Sequence, residues 1–147
     1  MKRQAILVLT TLSLLVMLTA ASVNGQSDMR INVNIPFEFS VGKAILPAGE
    51  YTVSYGAQSL LMIQSVDRSV SQVFITISTQ AGTTRVESSL VFHRYGDRYF
   101  LSAVWTAGHE IGHELRKPRA ERDLIRAGRS VVQSASQRQT VSIVAHR

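Results

Sequence analysis

The sequence predicts a mainly β protein: a single antiparallel β-barrel or β-sandwich of about seven strands, with one late amphipathic helix. Three observations predict this class. Apolar and polar residues alternate in several short runs, as they do in strands with one buried face. Glycine, proline, aspartate and serine separate these runs at intervals of about ten residues, as expected for a succession of short strands. One segment near the C-terminus changes to helical spacing.

The first strand has the clearest alternation. Its apolar residues, which share one face, are Ile31, Val33, Ile35, Phe37 and Phe39. Proline has no backbone N–H, so Pro36 predicts that this strand lies at an edge or contains a bulge. Turn residues follow between 41 and 49. Six further strands are expected at residues 51–55, 60–66, 70–78, 85–94, 99–105 and 139–146.

The predicted helix spans residues 118–131, and Pro118 suits its first position. An apolar stripe recurs with helical spacing at Ala120, Leu124, Ala127 and Val131. The opposite face carries Arg119, Arg122, Arg126 and Arg129. Two interpretations stay open: the arginines are solvated on a surface helix, or they bind an anion, because guanidinium groups hold phosphates and carboxylates through paired hydrogen bonds.

The first 25 residues predict a secretory signal peptide. Met1-Lys2-Arg3 is basic, an apolar run covers residues 5–18, and small residues suited to cleavage follow it. The alternative is an uncleaved membrane anchor, because residues 5–23 are about long enough to span a bilayer. After cleavage we expect one β-rich domain at residues 26–147, without a transmembrane segment, in the periplasm or outside the cell. Its stability must come from a packed core, since the chain has no cysteine.

The charges are distributed unevenly along the chain. The net charge is +6 at pH 7. Residues 26–115 hold six basic and eight acidic residues, whereas residues 116–147 hold eight basic residues and only Glu121 and Asp123 as acids. Such a basic segment serves an anionic partner or solubility. We expect an anionic envelope polymer, glycan or lipid as partner and no nucleic acid, because the protein is predicted to be exported.

One string resembles the zinc-binding signature of the zincin metallopeptidases. His109-Glu110-Ile111-Gly112-His113 matches H-E-x-x-H. Residues four apart share one face of a helix, so both histidines would bind Zn²⁺ as the cofactor. Glu110 would then act as the general base on a zinc-bound water.

The surroundings of this string favour coincidence. Gly108 and Gly112 weaken a helix there, and Pro118 ends the segment. The third ligand of the metzincins is missing, because Arg116 and Arg119 stand where that pattern needs glycine and histidine. We therefore expect no catalytic residue, no metal ligand and no cofactor, with a zinc site as the alternative.

Aromatic residues offer another candidate for binding. They are Tyr51, Tyr55, Tyr95, Tyr99 and Trp105. Together they would suit a glycan or lipid face, whereas aromatic cross-strand pairs also serve ordinary core packing. His93 and His146 are isolated in the sequence, and we expect His93 to be a half-exposed strand residue.

Several longer motifs occur in one chain: IPFEFSVG at 35–42, LPAGEYTV at 46–53, LVFHRYG at 90–96, then Tyr99-Phe100-Leu101 and Trp105. This combination resembles a family of uncharacterised small exported bacterial β-rich proteins. The resemblance covers residues 31–126 and implies export and a β-rich domain, without an activity. It also implies that His109 and His113 are peculiar to this chain, because the family pattern has no paired histidines after Trp105.

The sequence thus predicts an exported, non-enzymatic binding or envelope-associated protein. The alternative is a zinc-dependent hydrolase that uses His109, Glu110 and His113. A helix carrying both histidines, with an acidic third ligand nearby, would favour the hydrolase. A glycine-containing loop would favour the binding protein.

Overall fold

The computed structural model describes residues 29–56, 59–130 and 138–146, which form ten strands and one helix. The strands are β1 (Met29–Ile35), β2 (Phe39–Val41), β3 (Ala44–Leu46), β4 (Gly49–Gly56), β5 (Leu60–Ser65), β6 (Ser71–Gln80), β7 (Ser88–Tyr95), β8 (Arg98–Trp105), β9 (Ile111–Leu115) and β10 (Gln139–Ala145). The helix is α1 (Arg119–Ser130). The predicted signal peptide, residues 1–25, lies outside the described residues. Within the described ranges, no helix has the length and apolar character needed to cross a membrane.

The strands form one mixed sheet, so the prediction of a mainly β protein is confirmed. Its order is β1-β4-β5-β6-β9-β8-β2-β3, and β8 also pairs with β7, which pairs with β10. The pairs are antiparallel except for β2 and β8, which run parallel where Phe39 meets Tyr99. The expectation of a purely antiparallel sheet is therefore wrong at this contact.

Strand β6 joins the two parts of the sheet. Its first half pairs with β5 and its second half, from Thr76 onward, pairs with β9. Because β9 leads directly towards α1, this pairing brings the outer side of β6 close to the start of the helix.

The predicted count of about seven strands is wrong, because the described residues contain ten. Pro36 ends the first predicted strand at Ile35, and the chain resumes as β2. Strands β2 and β3 form a tight hairpin around Gly42, whose φ of 58° suits glycine, although turn residues were predicted from position 41 onward. Strand β9 is the third addition, and it contains the second half of the H-E-x-x-H string.

The period-two alternation of the first strand is confirmed. Ile31, Val33 and Ile35 are 0–4% exposed, while the residues between them face solvent. They join a core that includes Phe39, Tyr51 and Phe92, whose rings meet edge to face at 5.3 and 5.5 Å. This aromatic packing fills the space beside β2.

The LPAGEYTV motif forms the connection into β4. The Tyr51 hydroxyl donates a hydrogen bond of 2.7 Å to the backbone carbonyl of Pro47, four residues upstream. Burial, followed by the charge of Asp67, raises the pKa of Tyr51. The tyrosine thus belongs to the core and also fixes the chain that enters its own strand.

Helix α1 begins one residue later than predicted. Arg119 is its first residue, and the carbonyl of Pro118 accepts the first helical hydrogen bond, 3.1 Å from the backbone nitrogen of Arg122. Proline therefore precedes the helix, where its missing N–H leaves no gap in the hydrogen bonds.

Of the apolar stripe predicted for the helix, Leu124 is the one described residue that faces the sheet. Ala120 and Ala127 are exposed, and Val131 lies outside the described residues. The face turned towards the sheet consists of Glu121, Leu124, Ile125 and Gly128. A charged residue thus holds the most buried position of the helix, because it has polar partners on the sheet.

Candidate functional site

The H-E-x-x-H string does not lie on a helix. His109 and Glu110 are exposed in the turn after β8, whereas His113 is in the middle of β9. The geometry that the zinc signature needs, with both imidazoles on one helical face, is therefore not present. Among the described residues, no group of three or more His, Cys, Asp or Glu side chains is placed to hold a metal ion.

His113 has contacts that belong to the sheet. Its Nδ1 lies 3.2 Å from the Thr76 hydroxyl, and its ring stacks on Tyr55 at 4.4 Å between centroids. Burial lowers the pKa of His113, since the charged imidazolium is poorly solvated there. Burial likewise raises the pKa of Tyr55, whose hydroxyl is buried without a hydrogen-bond partner in the described part of the chain.

Gly112 is required by packing between the two histidines. A Cβ atom on this residue would lie 2.4–2.7 Å from ring carbons of Trp105. Arg85 also contacts this indole, and its guanidinium carbon lies 4.7 Å from the ring centroid. The glycine therefore lets the strand pass under an aromatic ring.

The described arginines of α1 are on the surface, but they differ in their neighbouring side chains. Arg119, Arg122 and Arg126 are exposed, and the side chain of Arg129 is outside the described part of the chain. Asp123 lies 3.9 Å from Arg119 and 3.8 Å from Arg126, and all three side chains are more than half exposed. Ion pairs of this kind contribute little to stability.

A groove of about 540 Å³ lies where β9 ends and α1 begins. We call it the basic groove. Its apolar lining consists of Gly42, Phe74, Ile75, Leu115 and Pro118, and its charged lining of Lys43, Arg116, Lys117, Arg119 and Arg122. All of its charged lining residues in the described structure are cationic, so an anion entering it meets only attraction from them.

The β2–β3 hairpin brings Lys43 to the groove. Gly42 precedes it, and a Cβ atom there would lie 3.1 Å from the ring of Phe74. Glycine therefore suits this turn, because its positive φ and its closeness to Phe74 both disfavour a side chain there. A smaller cavity of about 350 Å³ continues along β6 from Leu115 to Ile77, and it includes the acidic Glu114.

A buried carboxylate attaches the arginine helix to the sheet. Glu121 is 1% exposed, and its Oε1 lies 2.7 Å from Nδ1 of His93 and 3.1 Å from the hydroxyl of Tyr95. A carboxylate oxygen only accepts, so both partners donate to it. We call these three residues the helix anchor.

The helix anchor changes the titration of its tyrosine. Burial and then the Glu121 carboxylate raise the pKa of Tyr95 to about 12. His93 lies in a strand, as predicted, but its side chain is only 12% exposed and is not isolated, because it contacts Glu121. Its partner lies 28 positions along the chain.

Sequence reasoning missed most of these residues. The residues at positions 121, 124, 125 and 128 have helical spacing. This spacing predicts the inward face of α1 if an acidic residue is accepted at a buried position. No sequence signal places Lys43 beside Arg116, because the two meet only through the pairing of the sheet.

The five aromatic candidates do not form one face. Tyr51 lies in the core and Tyr55 stacks on His113, whereas Tyr95 lies under α1. Tyr99 stacks on Phe37 at 3.8 Å, and Trp105 covers Gly112. Each ring thus has a separate packing role.

The chain matches no protein-family model, no curated protein and no solved structure. Membership of the exported bacterial family stays a prediction from the motifs.

Proposed function

We propose that this protein is an exported, non-enzymatic binding protein that holds an anionic amphiphile in the basic groove. The observation that carries the proposal is the lining of that groove, where five cationic side chains border an apolar floor. A ligand with an acidic head and an apolar chain matches both parts of this lining. The volume of about 540 Å³ is in the range of small-molecule sites.

The filled interior of the sheet favours a ligand-binding site on its outer surface. We infer that the sheet curls into a nearly closed barrel, because backbone hydrogen bonds of 2.6 and 2.8 Å join Asn32 of the edge strand β1 to His146, which follows β10 at the end of the branch formed by β7 and β10. Tyr55 of β4 also reaches His113 of β9, although β5 and β6 lie between these strands. Aromatic and aliphatic side chains fill this interior, which leaves the outer groove as the better site.

The test uses decyl phosphate, which combines a phosphate with an alkyl chain, below its micelle concentration. We expect the Arg122→Gln variant to bind this probe about tenfold more weakly in calorimetry, because one charge-assisted hydrogen bond to the phosphate is lost. The matched control is Arg126→Gln, which makes the same charge change on the same helix but outside the groove lining. Its affinity should change by less than about twofold.

Salt gives a second readout of the same proposal. Raising the ionic strength from about 0.1 M to about 1 M shortens the Debye length from about 10 Å to about 3 Å, so binding should weaken markedly. Equal affinity of the Arg122→Gln and Arg126→Gln proteins, or binding of the probe that ignores salt, would overturn the proposal.

A further inference from the structure

An apolar strip lies exposed on the outer side of β5 and β6. Val73, Ile75 and Ile77 are 57%, 77% and 58% exposed, and they alternate with residues that point to the interior. Leu60 is paired with Ile75, and Met62 with Val73, so both side chains of β5 lie on this outer face. We call these five residues the β6 strip.

The β6 strip is continuous with the basic groove. Ile75 contributes to the floor of the groove, and Ile77 lines the adjoining cavity together with Arg116 and Lys117. Five cations and one acid, Glu114, border these two cavities. The strip therefore has positive charge beside it, which selects an anionic partner.

We propose that the β6 strip and the basic groove together dock this protein on an anionic lipid bilayer. This inference rests on the proposed function and names the physical form of the amphiphile. The strip enters the boundary between headgroups and acyl chains, and the cations meet the lipid phosphates. Each basic residue near such a surface strengthens binding by about fivefold.

The shape of the strip supports a bilayer. Three alternating residues of one strand span about 13 Å, so a flat lipid surface can receive all of them at once. Exposed isoleucine and valine lose contact with water there, and large exposed apolar patches are uncommon unless they have a partner. Four of the five cations lie in one short segment, residues 116–122, beside the same face.

The experiment measures co-sedimentation of the purified protein with vesicles. Phosphatidylcholine vesicles that contain phosphatidylglycerol should bind it at least about tenfold more tightly than vesicles of phosphatidylcholine alone. The strip variant is Val73→Thr/Ile77→Thr, because threonine keeps the β propensity and neither residue lines the basic groove. The control is Val86→Thr, whose residue is 91% exposed and outside the strip.

We expect the strip variant to lose at least about tenfold in affinity for the anionic vesicles while it binds decyl phosphate like the unmodified protein. The Val86→Thr control should behave like the unmodified protein in both assays. Equal vesicle binding by the strip variant and the control would overturn the inference and leave the groove proposal intact. If the unmodified protein does not bind decyl phosphate, both the groove proposal and the bilayer inference are overturned. A dimer in solution that dissociates in the strip variant would also overturn the inference, because a second copy would then cover the strip.

Discussion

Replacing the buried acid of the helix anchor should destabilise the protein strongly. Glu121→Ala removes the acceptor that lies 2.7 Å from His93 and 3.1 Å from Tyr95, and leaves both donors without it. Each buried donor that loses its partner costs about 1–3 kcal/mol, and relief of the desolvated carboxylate offsets part of the sum. We expect a net loss of about 3 kcal/mol in the free energy of unfolding.

Asp123→Ala is the matched control on the same helix. Its carboxylate is 55% exposed and lies 3.8 and 3.9 Å from two exposed arginines. Surface pairs of this kind contribute less than about 0.5 kcal/mol. The two substitutions thus remove the same charge from the same helix and differ mainly in burial and partners.

Urea unfolding followed by circular dichroism measures both variants. A slope of about 1.5 kcal/mol per molar urea converts the expected loss at position 121 into a midpoint about 2 M lower. A double-mutant cycle between Glu121→Ala and His93→Ala should give a coupling of about 1–3 kcal/mol. If Glu121→Ala and Asp123→Ala fall within about 0.5 kcal/mol of each other, the helix anchor does not hold the helix.

Three further predictions concern the sheet. Gly112→Ala should lower the free energy of unfolding by about 1–3 kcal/mol, because its Cβ would meet Trp105, whereas Gly82→Ala, which has open space, should be nearly neutral in the same urea assay. Tyr51→Phe should lose about 1 kcal/mol with its hydrogen bond to the chain upstream, and an unchanged midpoint would contradict that role. Because the pKa of His113 is lowered in the folded protein, its imidazole binds a proton more tightly in the unfolded chain. The free energy of unfolding should therefore fall as the pH drops below about 6.5, and it should stop falling once the pH is below the lowered pKa. The His113→Gln protein should show a shallower dependence in pH-resolved unfolding, and an identical one would refute the assignment.

Much of the sheet could be predicted because each strand carries its own local signal. Ile31, Val33 and Ile35 alternate with polar residues, and the structure buries all three. The strands that prediction missed have only three to five residues, too few for a period to emerge. Strand β9 was also missed because the H-E-x-x-H spacing is typical of a helix and drew attention away from a strand.

The candidate site could be predicted only in part. The cationic character of residues 116–122 is visible in the sequence, and the structure places that segment at the basic groove. Part of the apolar lining, Phe74 and Ile75, comes from β6, about 40 residues earlier, and its position depends on how β6 and β9 pair. A long-range strand pairing of this kind cannot be predicted from the sequence of either segment alone.

The helix anchor explains why the arginines of α1 fall into two groups. Successive helical residues are rotated by about 100°, so the choice between Ala120 and Glu121 as the buried position turns the whole helix by one residue. With Glu121 inward, Arg119 and Arg122 line the basic groove, while Arg126 lies outside its lining. A buried apolar residue at position 121 would hold the helix as firmly. It would, however, also allow the helix to rotate slightly about its own axis. Hydrogen bonds from His93 and Tyr95 to one carboxylate oxygen allow a single rotation, and that rotation decides which guanidinium groups can meet a ligand.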